Sequence, residues 1–309
     1  DLSNRGREEA RVAGSLLREA GVRRIERVYS SLLKRAIKTA WLMLDELEMQ
    51  WVPITYDWRL NERHYGSLQG RNKHDCAAEF GVQQVQLWRR GVHNRPPPWD
   101  ETLAATVIDR RYAGVPVPSS ESLADCSARV MPFVKDELIP DMQRAVDRAA
   151  ARATDDAGEQ GADGAGGKDD SGDGEQQEVP VFVVSSSENL IRALIAHFEG
   201  LDDSQTPLLD IPHATPLVYH FGADLRALDT PFATAPMRKG WYLGDADRIK
   251  AVMADIRAQV DVRKLKGAAY DEPAGAVAAG GYAPLGTGTG DLDGADDDTC
   301  FSVEDSTGE

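Results

Sequence analysis

Residues 59–66 bring together side chains that could bind an anion and transfer a proton. This segment, RLNERHYG, holds the Glu62 carboxylate, the guanidinium groups of Arg59 and Arg63, and the Tyr65 phenol. Planar guanidinium groups suit two-point contacts with phosphate or carboxylate oxygens. A carboxylate beside a cation-bound molecule can act as a general acid and base toward a hydroxyl of that molecule. The segment therefore has the side chains of an anion site with a proton-transferring group.

Alternating helix and strand patterns surround this segment and must position it. Apolar periodicity and capping residues predict helices over residues 7–20, about 32–47, 74–90 (interrupted by Gly81), from a cap at Ser119 or Ser120 to Ala150, 188–199 and 245–262. Apolar runs predict strands over residues 25–30, 52–56, 181–184 and 216–221, the third of them buried on both faces. This alternation indicates an α/β fold with a largely parallel sheet.

The negative charge of the chain is concentrated in two stretches of low complexity. The 309 residues carry a net charge of −16. Residues 151–180 hold nine acidic and two basic side chains, and residues 267–309 hold ten acidic and none basic, which leaves about +1 for the remainder. Such stretches cannot bury enough apolar surface to offset their ordering entropy. We therefore predict one domain from residues 1–150 plus 180–266, a disordered acidic insertion at 151–179 and a disordered acidic tail at 267–309.

Composition also excludes several classes of function. The acidic stretches argue against nucleic acid as a partner, and no apolar run approaches the roughly 18 residues of a membrane span. The three cysteines, Cys76, Cys126 and Cys300, lack metal-ligand spacing and cannot all pair. Free thiols are typical of a reducing compartment, so we predict a cytoplasmic protein without a metal.

Several blocks, in order, resemble the cofactor-dependent phosphoglycerate mutase family of the histidine phosphatase superfamily. They are DLSNRG (1–6), YSSLLKRAIKTAW (29–41), RLNERHYGSLQGRNK (59–73), QVQLWRR (84–90), PPP (96–98), ESLADCSARV (121–130) and YLGD (242–245). The resemblance implies a three-layer α/β sandwich with a largely parallel central sheet. It also implies the glycolytic interconversion of 3-phosphoglycerate and 2-phosphoglycerate through a phosphohistidine primed by 2,3-bisphosphoglycerate. The expected partners are small phosphorylated carboxylates, and a homo-oligomer is compatible with the sequence.

The resemblance assigns roles to individual residues of this chain. Glu62 matches the family's proton donor and acceptor, with an ion pair to Arg59 or Arg63 as the alternative interpretation. Substrate-binding positions of the family match Arg35, Arg63, Tyr65, Lys73, Arg89, Arg90 and Asn189. Taken singly, each of these could instead be a solvated charge or a core aromatic.

Two parts of the family's site are missing from this sequence. The family's first strand ends in an Arg-His-Gly motif whose histidine is phosphorylated, and it precedes the block at Asp1, so we expect an upstream segment to have been lost. Without that central strand, neighbouring strands should keep unpaired backbone groups. Ser187 stands where the family has its second catalytic histidine, and Glu188 replaces a glycine. Glu188 either disfavours phosphate at a helix N-terminus or points outward.

These departures leave two hypotheses for function. The first is a phosphoglycerate mutase-like protein whose reaction is impaired, since serine cannot act as an imidazole acid and base. The second is a pseudoenzyme that binds phosphorylated metabolites or serves as a scaffold. Recruitment of another histidine, His213 or His64, would favour an active enzyme.

Overall fold

The structure, a computed structural model, describes residues 1–99, 109–159 and 179–259. Its helices are α1 (Asn4–Glu19), α2 (Lys34–Glu46), α3 (Lys73–Phe80), α4 (Val82–Arg90), α5 (Leu123–Phe133), α6 (Ile139–Glu159), α7 (Glu188–Glu199) and α8 (Ala246–Gln259). Its strands are β1 (Arg27–Ser30), β2 (Ile54–Tyr56), β3 (Phe182–Ser185), β4 (Leu217–Val218) and β5 (Trp241–Tyr242). A π-helical stretch, Val134–Leu138, joins α5 to α6, and short 3-10 turns occupy Trp58–Leu60, Gly66–Leu68, Arg110–Tyr112 and Thr206–Leu208.

The main sheet has three parallel strands in the order β2-β1-β3. Val28 at its centre lies opposite Ile54 on β2 and Val183 on β3. Strands β4 and β5 pair antiparallel in a separate two-stranded sheet. In the described part of the chain, β3 therefore has a strand partner on one side alone.

Two helical layers cover the two faces of this sheet. Because side chains alternate along a strand, adjacent residues of β1 point to opposite faces. Val28 packs in a cluster with α1 and α2 residues such as Leu17 and Leu44. Tyr29 packs in the other cluster, with residues of α5 and α7 such as Phe133 and Leu190. The predicted three-layer α/β arrangement is confirmed.

Helix α2, which carries Arg35, is held in place by close packing against α1. The N-cap of α1 is Ser3, whose hydroxyl accepts a hydrogen bond from the Gly6 N–H at 3.1 Å. On the inner face of α1, a Cβ added at Gly14 would lie 2.7 Å from the Cβ of Glu46. The two helix backbones can approach this closely because residue 14 lacks a side chain.

Three sequence predictions need correction. The cap of α5 is Ser122, which forms a reciprocal capping box with Asp125, and neither Ser119 nor Ser120 caps this helix. The predicted strand over 216–221 is reduced to Leu217–Val218, which pairs with the two-residue strand β5, and Phe221 forms an isolated bridge with Ala227. Strand β3 is half-buried over Phe182–Val184 instead of buried on both faces, and within the described residues it pairs with a strand on one side alone.

The predicted acidic segments fall largely beyond what the structure describes. Helix α6 continues to Glu159, past the predicted boundary at Ala150, while residues 160–178 lie outside the described residues. Residues 260–309, with the predicted tail and Cys300, lie outside them too. Of the described cysteines, Cys76 and Cys126, neither forms a disulfide bond, and both are buried.

Candidate active site

The loops that follow the three parallel strands meet at one edge of the sheet. In parallel sheets the carboxyl ends of the strands are where ligands bind. The loop after β1 is tied to the loop after β2, because the Leu32 N–H donates to the side-chain oxygen of Asn61 at 2.8 Å. The segment after β3 joins them through the Ser186 hydroxyl, which donates to the Leu60 carbonyl at 2.6 Å. These contacts bring residues 31–35, 57–63 and 186–189 together.

Ser187, at the position of the second catalytic histidine, lies against Arg35. The Arg35 Nη2 group donates a hydrogen bond to the Ser187 hydroxyl at 3.0 Å. Ser187 is the N-cap residue of α7, yet its side chain makes no capping hydrogen bond to that helix. The hydroxyl therefore faces the guanidinium of α2 instead of its own helix. Arg35 is not a purely solvated cation, which was the alternative interpretation.

The Glu62 carboxylate lies at the N-terminus of α7. One of its oxygens accepts a hydrogen bond from the Arg63 N–H at 2.8 Å, and the other accepts from the Asn189 N–H at 3.2 Å. A carboxylate at this end of a helix is favoured by the helix dipole. The alternative ion pair with Arg59 is not formed, because Arg59 pairs with Asp57 at 2.6 Å. Glu62 thus provides the cap that Ser187 does not.

Asn189 links Glu62 to Tyr65 within the first turn of α7. Its side-chain amide donates to the Tyr65 hydroxyl at 2.9 Å, and its side-chain oxygen accepts from Arg192 at 2.7 Å. Asn189 is 5% exposed and Tyr65 is also buried. Both residues predicted to touch substrate are in this network, and their present contacts are with protein groups.

Arg63 is buried beneath the site instead of lining it openly. Only 1% of the residue is exposed. Its guanidinium donates to the carbonyls of Trp88 and Arg89 at the end of α4 and lies 4.3 Å from the centre of the Tyr65 ring. Two of its nitrogens, Nε and Nη1, have no hydrogen-bond partner among the residues that the structure describes. Arg63 therefore anchors α4, and the predicted contact with a substrate phosphate stays a prediction.

The remaining predicted cations lie at the ends of α3 and α4. Lys73 begins α3, and its side chain lies outside the described part of the structure. Arg89 and Arg90 end α4, and both are half-buried. The Arg90 guanidinium reaches the Pro207 carbonyl at 3.5 Å. Burial and the nearby Arg192 lower the pKa of Arg90, which indicates that several cations crowd this side of the site.

Glu188 neither points outward nor stands alone at the helix N-terminus. It forms an ion pair with Arg192, one turn further along α7. Burial by itself would raise the pKa of Glu188, but the charges of Arg192, Arg90 and His213 outweigh burial and lower that pKa to about 2. The site's own cations therefore neutralise the negative charge of Glu188.

An ion pair that the sequence analysis missed holds the loop that carries Glu62. Arg129 on α5 and Glu121 are 7% and 4% exposed and lie 2.7 Å apart. Arg129 also donates to the carbonyls of Arg59 and Asn61, and Glu121 accepts from the His64 N–H at 2.9 Å. In the sequence, this ion pair could have been found from two opposite charges, eight residues apart, within the ESLADCSARV block.

The two histidines considered as replacements lie in different surroundings. His64 is packed against Trp99, and its Nδ1 accepts a hydrogen bond from the Gly66 N–H at 3.1 Å. Burial lowers the pKa of His64 to about 4, so the ring is neutral at physiological pH. The structure thus gives His64 a role in packing, while His213 is exposed and contributes to the field at Glu188.

Within the described ranges, no helix is long and apolar enough to cross a membrane, and no cluster of three or more His, Cys, Asp or Glu side chains could hold a metal ion. The residues of the site suit an anionic ligand with several oxygens, since Arg35 lies against Ser187 and Arg90 lies near Glu188. An imidazole is absent from residue 187.

Comparison with known proteins identifies the family of this chain. Residues 1–113 match the histidine phosphatase superfamily (branch 1). A 2,3-bisphosphoglycerate-dependent phosphoglycerate mutase from Thermobifida fusca (strain YX) is 39% identical over 263 residues, covering 84% of this chain and 89% of that protein. The chain therefore belongs to the cofactor-dependent phosphoglycerate mutase family of the histidine phosphatase superfamily.

Solved structures similar to this chain include phosphatases. A mycobacterial glucosyl-3-phosphoglycerate phosphatase in complex with VO3 is 24% identical, with a TM-score of 0.47, and the match covers 74% of this chain and 84% of that one. An alpha-ribazole phosphatase from Shigella flexneri is 18% identical, with a TM-score of 0.42, over 74% of this chain and 84% of that one.

Proposed function

We propose that this protein binds small phosphorylated carboxylates, such as 3-phosphoglycerate, and that its mutase reaction is weakened. The observation that carries this proposal is the 3.0 Å contact between Arg35 Nη2 and the Ser187 hydroxyl. A guanidinium and a hydroxyl side by side can hold a phosphate oxygen. A hydroxyl cannot replace an imidazole as an acid, base or cation, and loss of such a group costs about 10²–10⁴ in rate.

The family relationship supports the choice of ligand. The relative from Thermobifida fusca is named for 2,3-bisphosphoglycerate, and we extend that ligand to this chain as part of the proposal. The same step places the protein in glycolysis. Glu62 is the residue that would exchange a proton with the substrate hydroxyl, provided that the bound ligand draws its carboxylate away from Asn189.

The alternative is a pseudoenzyme that binds the same ligands, or keeps only the fold as a scaffold, without turnover. One observation favours it. Both oxygens of Glu62 accept backbone hydrogen bonds, and Asn189 and Tyr65 bond to each other. The groups that would act on a substrate are therefore already bonded to other groups of the protein.

Assays of turnover and binding together separate these functions. The protein, expressed from its complete coding frame, is assayed for mutase and phosphatase activity beside the Thermobifida fusca relative, and 3-phosphoglycerate binding is measured by calorimetry. We expect binding with turnover at least about 100-fold below the relative. Turnover equal to that of the relative would contradict the weakened reaction, and binding without turnover would favour the pseudoenzyme.

A double variant tests whether residues 187 and 188 cause the weakness. Ser187→His with Glu188→Gly restores the family's residues at both positions, so turnover should rise by about 100-fold or more. The control is Asp247→Asn, an exposed change on α8, which should leave turnover unchanged. No gain in the double variant would mean that the site is altered elsewhere.

A further inference from the structure

The Glu188–Arg192 ion pair combines a fixed cation with a partly accessible carboxylate. Arg192 is 2% exposed and is held by the Leu209 carbonyl at 3.0 Å and the Asn189 side-chain oxygen at 2.7 Å. The Glu188 side chain is 32% exposed. Acceptors other than Glu188 therefore hold the Arg192 guanidinium, whereas the Glu188 side chain stays partly accessible.

Two groups of cations flank the first turn of α7. Arg35 contacts the Ser187 hydroxyl at 3.0 Å. On the other side, Arg192 pairs with Glu188, and Arg90 and His213 add to the positive field there. Residues 187 and 188 are adjacent, so the two groups of cations contact the same turn of α7.

A carboxylate already occupies the second group of cations. A ligand phosphate on Arg35 leaves Glu188 undisturbed, because that phosphate needs no cation from the second group. A ligand carboxylate directed at Arg90 would meet the Glu188 charge that Arg192 holds in place, and like charges at close range repel strongly at a partly buried site. Glu188 therefore repels the carboxylate of such a ligand and leaves its phosphate undisturbed.

We propose that Glu188 is a specificity-determining residue that competes with the carboxylate group of the ligand for the Arg90–Arg192 side of the pocket. This inference rests on the proposed function, since it assumes that the pocket binds phosphorylated carboxylates. Glu188 lowers the affinity for 3-phosphoglycerate and leaves the affinity for a phosphate ester without a carboxylate nearly unchanged. Because of Glu188, the protein therefore does not prefer 3-phosphoglycerate over a phosphate ester that lacks the carboxylate.

A pair of matched ligands tests the proposal. Calorimetry at fixed ionic strength gives the dissociation constants of 3-phosphoglycerate and glycerol 3-phosphate, which lacks the carboxylate. In the unaltered protein the two constants should lie within about threefold of each other. Glu188→Gln removes the charge with little change of shape and should tighten 3-phosphoglycerate binding at least tenfold, while glycerol 3-phosphate changes less than threefold.

Three variants accompany this measurement. Glu188→Ala should give the same result as Glu188→Gln and replaces it in the test if Glu188→Gln does not fold. Both variants should fold, because Arg192 keeps its other acceptors. Glu188→Asp keeps the charge and should keep the constants nearly equal. Asp247→Asn changes the net charge equally at an exposed site and should alter neither constant.

The outcomes distinguish this inference from the proposed function. Equal tightening of both ligands in Glu188→Gln would show a general charge effect and overturn the role in specificity, as would no change in either. If neither ligand binds measurably to the unaltered protein or to any variant, the proposed function itself fails. Selective tightening of 3-phosphoglycerate would support both.

Discussion

Replacement of Arg129 by methionine should destabilise the protein strongly and release the loop that carries Glu62. Methionine keeps the apolar part of the arginine side chain at a similar length and lacks the guanidinium. Glu121 would then be a buried carboxylate without its cation, and the carbonyls of Arg59 and Asn61 would lose donors at 2.9 and 3.1 Å. Breaking one side of a buried ion pair costs about 3–5 kcal/mol, so the free energy of unfolding should fall by about that amount.

Chemical denaturation is the assay, with two variants for comparison. The double change Arg129→Met with Glu121→Gln also removes the stranded charge, so part of the loss should be recovered. Arg11→Met breaks an exposed pair with Glu8 on α1 and should cost a small fraction of the main effect. If Arg129→Met costs no more than Arg11→Met, the view that this ion pair holds the loop is wrong.

Three further predictions concern single residues of the same loop. Because the pKa of His64 is lowered to about 4 in the fold, against about 6.5 when unfolded, the unfolded chain binds the extra proton. Stability should therefore rise between about pH 4 and 6.5 and then level off, and urea titrations should show this rise vanish in His64→Gln. Tyr65→Phe leaves the Asn189 amide without an acceptor and should cost about 1–2 kcal/mol by urea denaturation. Gly66→Ala should cost about 2 kcal/mol or more in melting experiments, since φ is +59° there and the new Cβ would lie 1.9 Å from the Pro97 carbonyl oxygen.

Local signals predicted the elements of the fold best where caps and periodicity agree. The helix predicted over 188–199 is confirmed at both ends, because Gly200 adopts the left-handed conformation that ends it. The main sheet was predicted to be largely parallel, and its three described strands are parallel. The pairing of β4 with β5 was not predicted, since the two-residue strand Trp241–Tyr242 is too short to show any periodicity.

The cap of α5 shows where local signals fail to decide. Three serines, at positions 119, 120 and 122, compete for the same role. Ser120 is occupied elsewhere, because its hydroxyl donates to the Pro96 carbonyl at 2.6 Å. Ser122 gains from Asp125 three residues later, which is the spacing of a capping box. That spacing was readable in the sequence, but the contact that occupies Ser120 depends on the tertiary fold.

The candidate site was predictable from sequence only through whole blocks of residues. The resemblance placed Arg35 and residue 187 in one site, and the structure shows their contact at 3.0 Å. It also marked Arg63 as a ligand-binding cation, whereas in the structure its guanidinium donates to two carbonyls of α4. A side chain's exposure depends on what packs over it, so the sequence alone could not separate these two arginines.

The balance of charges around the site indicates where an anion would bind best. Some of its arginines have a carboxylate of their own: Arg59 with Asp57, Arg129 with Glu121, and Arg192 with Glu188. Arg35, by contrast, donates to the neutral hydroxyl of Ser187, and a cation bound to a neutral oxygen gains more from an anion than one already paired. Under the proposed function, the Arg35 guanidinium and the Ser187 hydroxyl would hold the phosphate of the ligand together. The serine that we propose weakens the chemistry would then preserve, at Arg35, the means to bind that phosphate.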